Sequence, residues 1–239
     1  MHNEKKKFII EHHAFIGCTL YLILSLVVHL LINDILHATC IVDFMFYGWI
    51  LYRRKKHPIV RDAVSRKALY FIIGTAILLL LTTYFWSCWY MSNMSDSLTS
   101  AYTDVLGNVN VHTYMFTISL AAPFGEEALF RYIVVNGFMH GLKRFSKPIQ
   151  YSLSIILSAL IFALMHGTGV HLLIGFFSGM ALALLYLSTN DLRYSIIAHM
   201  CYNIGTIFIT IPNSLTLSVL LTLISAIFVI HSIKLIINQ

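Results

Sequence analysis

The stretch that decides the fold of this chain is residues 122–135, which read APFGEEALFRYIVV. Three charged residues, Glu126, Glu127 and Arg131, interrupt an otherwise apolar sequence. A charge at bilayer depth costs about 2.5–3.5 kcal/mol on insertion scales. If the stretch crosses a membrane, these charges indicate a functional site or a buried ion-pair network.

The composition of the whole chain is typical of a polytopic membrane protein. Its 239 residues are 58% hydrophobic and 11% charged, whereas soluble globular domains carry about 25% charged residues. The cysteines show no C-x-x-C spacing, so neither a disulfide framework nor a cysteine-type zinc site is indicated. No cleavable signal peptide is expected, because the first apolar run is too long and lacks a small-residue cleavage site. The sequence therefore predicts an all-α fold that is mostly transmembrane.

Eight apolar runs are long enough to cross about 30 Å of hydrocarbon. They lie at residues 9–32, 35–52, 68–91, 111–130, 151–166, 169–188, 194–211 and 215–237. We expect residues 1–110 to form an N-terminal membrane module of three helices and an external loop. Residues 111–239 are expected to form the membrane core that holds the charged stretch, packed with the module as one integrated domain.

The basic residues predict the orientation in the membrane. Fifteen of the sixteen lysines and arginines fall on the same side of an eight-helix topology, and Arg131 is the remaining one. The opposite connections, including the polar loop 92–110, contain no Lys or Arg. By the positive-inside rule, both termini and the loop 53–67 are expected to be cytoplasmic, in a multi-pass protein of the cell membrane. The net charge of +6 reflects this topology and indicates no nucleic-acid partner.

Residue spacing separates the roles of the charges on the fourth span. Glu127 and Arg131 are four positions apart with the acid first, which is the favourable order for an ion pair on one helix face. Glu126 is rotated from Glu127 by about 100°, so both carboxylates cannot face Arg131. We expect Glu126 to point into a cavity, where it could act as a general base near neutral pH. The alternative is a structural network of all three charges that locks the helix.

Two later spans add histidines at helical spacing. Phe162-x-x-x-His166 and His199-x-x-x-Asn203 each place two side chains one turn apart on a helix face. Either pair alone is a weak signal, because a single histidine in an apolar helix is more often a packing residue. Together with Glu126, these residues provide the groups that activate water and stabilise an oxyanion during amide hydrolysis. They could equally serve as ligands for a divalent metal such as zinc.

The three motifs Glu-Glu-x-x-x-Arg, Phe-x-x-x-His and His-x-x-x-Asn, in this order on successive spans, resemble the CAAX-protease and bacteriocin-processing family of intramembrane proteases, also called the Abi family. The resemblance covers roughly residues 115–210, and all three motifs are complete. It implies an eight-helix fold with a catalytic cavity between helices 4–7. The short loops favour a bacterial member of the family.

The resemblance also implies roles for the motif residues. Glu126 and His166 would activate a water, His199 and Asn203 would hold the oxyanion, and the ion pair of the fourth span would support them. If a metal is needed, Glu126, His166 and His199 are its potential ligands, but the lack of an H-E-x-x-H helix favours a metal-free, glutamate-type mechanism. The implied substrate is a peptide or a membrane-associated protein, as in bacteriocin or pheromone processing or self-immunity.

Two other classes of function stay open from the sequence. A non-catalytic immunity or scaffold protein could keep the motifs for structure, although a degenerate homologue would be expected to lose some of them. A carrier could use the same buried charges, although the sequence shows no internal repeat of the kind many transporters have.

Two features stand outside this scheme. Asp43 is a lone acid in the second span, and either a tyrosine or histidine partner or a substrate role would explain it. The predicted spans also place His166 and His199 at depths that differ by roughly 15 Å, given a rise of about 1.5 Å per residue. Misplaced span ends, tilted helices or a re-entrant loop near Gly167 would each remove this difference.

Overall fold

The computed structural model describes part of the chain. The described backbone covers residues 2–32, 34–56, 58–59, 61, 63–93, 111–167, 170–208 and 214–238, with the side chains of residues 2–14, 111, 170, 207 and 208 left aside. These residues form helices and connecting segments, and no strand occurs among them. The predicted all-α class is confirmed. Most of the loop predicted at 92–110 lies outside the described residues.

The described residues form eight helices. They are α1 (His2–Leu31), α2 (Ile35–Lys56), α3 (Arg66–Ser92), α4 (residues 111–141), α5 (Lys147–Met165), α6 (Val170–Thr189), α7 (Leu192–Phe208) and α8 (Leu215–Ile237). Within the described ranges, five stretches are long and apolar enough to cross a membrane by themselves, namely Ile35–Lys56, Arg66–Ser92, Lys147–Met165, His171–Thr189 and Leu215–Ile237. The protein is therefore a polytopic membrane protein. Of the eight crossings predicted, those of α1, α4 and α7 are not among these five.

Helix α4 is a continuous rod whose hydrogen-bonding pattern changes along its length. Its successive segments are α-helical Val111–Phe116, π-helical Thr117–Ala121, α-helical Ala122–Glu127, π-helical Ala128–Val135 and α-helical Asn136–Gly141. Segments of π-helix are frequent at functional sites, because they change the direction of neighbouring side chains. The acid pair ends the central α-helical segment and so lies between the two π-helical ones. The rod also continues well beyond the predicted end of this span at residue 130.

Helices α5 and α6 approach each other closely at two glycines. A Cβ atom at Gly175 would lie 2.7 Å from Ala163 Cα, and one at Gly179 would lie 2.9 Å from Ala159 Cα. Both distances are too short for a side chain, so only glycine allows this spacing of the two backbones. The close contact fixes α5, which carries His166 at its C-terminal end.

Polar contacts join three connections at one end of the bundle. Arg54 at the end of α2 donates from Nη2 to the backbone oxygen of Asn190 at 2.6 Å. Arg61 donates from Nη2 to Asn136 Oδ1 of α4 at 2.7 Å. Asn190 adopts a positive φ of 53° in the turn between α6 and α7, which asparagine tolerates better than most residues. The loop after α2, the end of α4 and the α6–α7 turn therefore lie together.

Candidate functional site

An ion pair inside α4 forms the base of the site. Arg131 donates from Nε to Glu127 Oε2 at 2.8 Å and from Nη2 to Oε1 at 3.3 Å. Both side chains are fully buried. The i,i+4 pair expected from the spacing is thus present, and its two-point geometry belongs to the stronger class of hydrogen bonds. Removing either partner would leave the other charge buried without compensation.

His199 of α7 contacts the same Glu127 carboxylate. Its Nδ1 lies 3.0 Å from Glu127 Oε1, and the imidazole is buried. Because an ionised carboxylate only accepts hydrogen bonds, Nδ1 carries the proton and donates it, which makes Nε2 of the neutral ring an acceptor. Sequence reasoning missed this contact, since it joins two helices that are distant in the chain and no local spacing reports their relative rotation.

His166 is held in a similar way at the end of α5. Its Nδ1 lies 2.7 Å from the backbone oxygen of Phe162. A carbonyl oxygen can only accept, so Nδ1 is again the protonated nitrogen and Nε2 the acceptor of the neutral ring. The Phe-x-x-x-His spacing therefore places the His166 imidazole within hydrogen-bond distance of the backbone oxygen of Phe162, one turn earlier.

The two imidazoles converge on Glu126. Its Oε2 lies 3.7 Å from His166 Nε2 and 3.8 Å from His199 Nε2. Within the described residues this buried oxygen has no hydrogen-bond partner, although the Glu126 side chain as a whole is 24% exposed. A water placed among these three acceptor atoms can donate hydrogen bonds to two of them.

Phe162 packs at the centre of these groups. Its ring centroid lies 4.2 Å from that of His166 and 5.9 Å from that of His199. The guanidinium carbon of Arg131 lies 4.9 Å from the same ring, on its face, in the range of a cation–π contact. Phe130 meets the ring edge-on at 4.9 Å. The motif phenylalanine therefore separates the ion pair from His166 and supports both.

Asn203 lies at the edge of the cluster. Its Nδ2 donates to the backbone oxygen of Ile118 at 2.9 Å, in the first π-helical segment of α4. One of the two amide N–H groups is used in this contact, and the second is available for another acceptor. The structure thus brings the acid pair, Arg131 and both histidines together and ties Asn203 to the α4 backbone beside them.

The depth difference that the predicted spans imply for the two histidines does not occur in the structure, because both lie within 4 Å of one carboxylate oxygen. Its physical reason lies in the ends of the helices. Helix α5 buries no side chain before Ser154, several residues after its start, whereas α7 is buried already at its first residue, Leu192. The starts of α5 and α7 are therefore not equivalent levels from which to count.

The three potential metal ligands do not form a metal site in the described part of the chain. No group of three or more His, Cys, Asp or Glu side chains there has the arrangement that could hold a metal ion.

Two other polar residues, outside the cluster, have partners elsewhere. Asp43 of α2 is buried, and its Oδ1 accepts a hydrogen bond from the Tyr21 hydroxyl of α1 at 3.0 Å. The tyrosine partner considered from the sequence is therefore present. His171, five residues after His166, lies with its ring 5.4 Å from that of Tyr90 at the end of α3.

Comparison with known proteins agrees with the motif resemblance. Residues 108–205 match the family model described as type II CAAX prenyl endopeptidase Rce1-like. This range is less than half of the chain, but it contains all three motifs. No curated protein and no solved structure matches the chain. Residues 108–205 are therefore similar to the CAAX protease family of membrane endopeptidases.

Proposed function

We propose that the protein is a glutamate-type intramembrane endopeptidase in which Glu126 and His166 activate a water for attack on a peptide bond. The observation that carries the proposal is the convergence of two imidazole Nε2 atoms on Glu126 Oε2. Each imidazole keeps its Nδ1 proton against a separate acceptor. The match of residues 108–205 to the type II CAAX prenyl endopeptidase Rce1-like model supports the same reaction class.

The geometry fits a water between the carboxylate and the first imidazole. A water at about 2.8 Å from both atoms is compatible with the 3.7 Å between Glu126 Oε2 and His166 Nε2. Glu126 would take a proton from this water as its oxygen bonds to the scissile carbonyl carbon. That proton would then pass to the leaving nitrogen as the carbon–nitrogen bond breaks, giving a carboxylic acid and an amine.

We assign His199 and Asn203 to the oxyanion that forms during this attack. His199 can donate from Nε2 only when its ring is protonated on both nitrogens. The Glu127 carboxylate beside Nδ1 would stabilise that imidazolium, in the manner of the aspartate of a Ser-His-Asp triad. Arg131 would hold Glu127 in place, and Asn203 would use its second N–H group.

We propose that both termini and the loop 53–67 are cytoplasmic and that the loop 92–110 is external. Contacts of Arg54 and Arg61 with the α6–α7 turn and the end of α4 support one common basic end of the bundle. Single cysteines at residue 100 and residue 55, in an otherwise cysteine-free variant, test the orientation. Labelling of residue 100 only from the cytoplasmic side would contradict it.

The substrate is proposed to be a peptide or a membrane-associated protein. The family description names CAAX prenyl endopeptidases, so a farnesylated CAAX peptide is the first probe. A bacterial role in bacteriocin or pheromone processing, or in self-immunity, is the proposal that follows from the sequence resemblance. A small-peptide gene or a bacteriocin cluster beside the coding sequence would support that role.

The decisive experiment measures hydrolysis by purified protein in lipid nanodiscs. A quenched fluorescent farnesylated CAAX peptide and a set of hydrophobic peptides serve as probes. The wild type is expected to cleave at least one of them, and Glu126→Gln is expected to abolish that cleavage. His171→Ala, a histidine variant outside the cluster, is the matched control. If Glu126→Gln and His166→Ala both keep full function in cells, the protein is a non-catalytic immunity or scaffold protein instead.

A further inference from the structure

A buried acid from the N-terminal part of the chain is not used by the proposed mechanism. Asp43 on α2 is 1% exposed, and one of its oxygens, Oδ1, is held by the Tyr21 hydroxyl. The other oxygen, Oδ2, is buried and has no hydrogen-bond partner among the residues that the structure describes. An ionisable side chain in a membrane span is costly and usually functional, so its position calls for a physical reason.

The carboxyl group of Asp43 lies directly against Gly125, the residue before the acid pair. A Cβ atom at residue 125 would overlap Oδ1, Cγ and Cβ of Asp43. The carboxyl group therefore fills the space that any larger residue at 125 would need. Phe124 packs against Phe44 and Tyr47 of α2, with ring centroids 5.4 and 5.0 Å away, so α2 also contacts α4 at the residue before Gly125.

The position of Glu126 depends on its backbone. Its Oε2 has no hydrogen-bond partner in the described part of the chain, so that oxygen is not held by a donor. The helical segment that carries it is short, Ala122–Glu127, and is flanked by π-helical segments. The carboxyl groups of Asp43 and Glu126 are also close enough to interact electrostatically. A side chain packed on Gly125 is therefore well placed to set where Glu126 lies.

We propose that Asp43, held by Tyr21, is a positioning residue that sets the place of the Glu126 carboxylate through its contact with Gly125. This inference rests on the proposed peptidase function. It makes α1 and α2 part of the catalytic unit, although they lie before the matched range 108–205.

The kinetic test compares two variants of Asp43 with a control on the same helix. Asp43→Ala removes the contact with Gly125, and a displacement of about 1 Å can lower a rate by about 100-fold. We therefore expect kcat for the farnesylated peptide to fall about 10- to 100-fold with little change in KM. Asp43→Asn keeps the shape and an acceptor for Tyr21 and should restore most of kcat. Val42→Ala, equally buried, should change neither constant.

Two kinetic results would overturn the inference. One is a kcat for Asp43→Ala equal to that of the wild type. The other is an Asp43→Asn variant as slow as Asp43→Ala, which would show that the ionisable group acts by itself and not by position. If Asp43→Ala does not fold, Tyr21→Phe removes only the hydroxyl that holds Asp43 and should lower kcat in the same direction.

A second measurement is independent of activity. Glu126→Cys is placed in a background without the native cysteines, Cys18, Cys40, Cys88 and Cys201, and its rate of reaction with a water-soluble thiosulfonate is recorded. Asp43→Ala should change that rate several-fold, while Asp43→Asn and Val42→Ala should not. A wild type that cleaves no probe, together with this labelling pattern, would refute the peptidase function alone. If the wild type cleaves a probe but Asp43→Ala changes neither the labelling rate nor kcat, the positioning role alone is refuted.

Discussion

On one face of α4, Glu127 is fully buried and both of its oxygens accept hydrogen bonds, from Arg131 and from His199. On the next face, Glu126 is 24% exposed, and its Oε2 lies 3.7 and 3.8 Å from two imidazole nitrogens, with no hydrogen-bond partner among the described residues. The two carboxylates are neighbours in the chain and share one short helical segment. Rotation by one residue on the helix gives them opposite surroundings.

The difference shows how a membrane protein can keep one acid for structure and present another for chemistry. A buried carboxylate that already accepts hydrogen bonds from two partners has little reason to exchange a proton during a reaction. A carboxylate with an unsatisfied oxygen in a partly open position can bind water and exchange protons. Replacing the two acids in turn should therefore affect different measurements.

The largest effect is expected at Glu126. Glu126→Gln keeps the size of the side chain but removes the proton acceptor, and loss of a general base typically lowers a rate by about 10²–10⁴-fold. Expression and thermal stability should stay near those of the wild type, because Oε2 has no hydrogen bond to lose within the described structure. Peptide hydrolysis and thermal unfolding in the same nanodiscs measure both. Strong destabilisation by this variant would remove the contrast between the two acids.

Arg131 should show the opposite pattern. Arg131→Ala leaves Glu127 buried without its cation, and breaking a buried pair costs about 3–5 kcal/mol. The amount of folded protein in the membrane should fall, as measured by fluorescence-detected size-exclusion chromatography. The double variant Glu127→Gln/Arg131→Met should recover more folded protein than either single change. Normal accumulation of Arg131→Ala would show that the ion pair does not support the fold.

Asn203 tests the edge of the site. Asn203→Ala deletes one proposed oxyanion donor, and removal of such a donor typically lowers kcat by about 10²–10³-fold. It also removes the contact with the Ile118 carbonyl, so a modest loss of stability should accompany the slower rate. Ile204→Ala, the exposed neighbouring residue on α7, is the matched control. A kcat for Asn203→Ala close to that of the wild type would show that Asn203 only makes the contact with the Ile118 carbonyl and takes no part in the reaction.

Helical spacing was sufficient to predict some of this arrangement. The i,i+4 separation of Glu127 and Arg131 depends only on the geometry of one helix, and the ion pair is present as expected. Positions of the apolar runs likewise follow from composition, and most helices lie close to them, although α4 continues well beyond residue 130. Family resemblance rested on the same local spacings and is confirmed by the match over residues 108–205.

Residue spacing within one helix could not predict the contacts between helices. The Nδ1 bond of His199 to Glu127, the bond of Asn203 to Ile118 and the contact of Asp43 with Gly125 each depend on how two helices are rotated against each other. The π-helical segments of α4 add to this, because they change the rotation per residue along the rod. A regular α-helix assumed from residue 111 onward would misplace the faces that these contacts use.

The smallest effect is expected at Phe162, which packs between Arg131 of the ion pair and the His166 imidazole. Phe162→Leu keeps a buried apolar side chain but removes the ring that faces Arg131 and His166. Aromatic contacts of this kind contribute about 0.5–1.5 kcal/mol each beyond their buried area. Both the stability and the rate should therefore fall modestly, since the ring supports the ion pair on one side and the imidazole on the other. Phe71→Leu removes the ring of α3 that stacks on Phe228 of α8 with 5.2 Å between centroids, and it should lower stability without this effect on the rate. If Phe162→Leu lowers only the stability, the ring supports only the Glu127–Arg131 ion pair. If it lowers only the rate, the ring supports only the His166 imidazole beside Glu126.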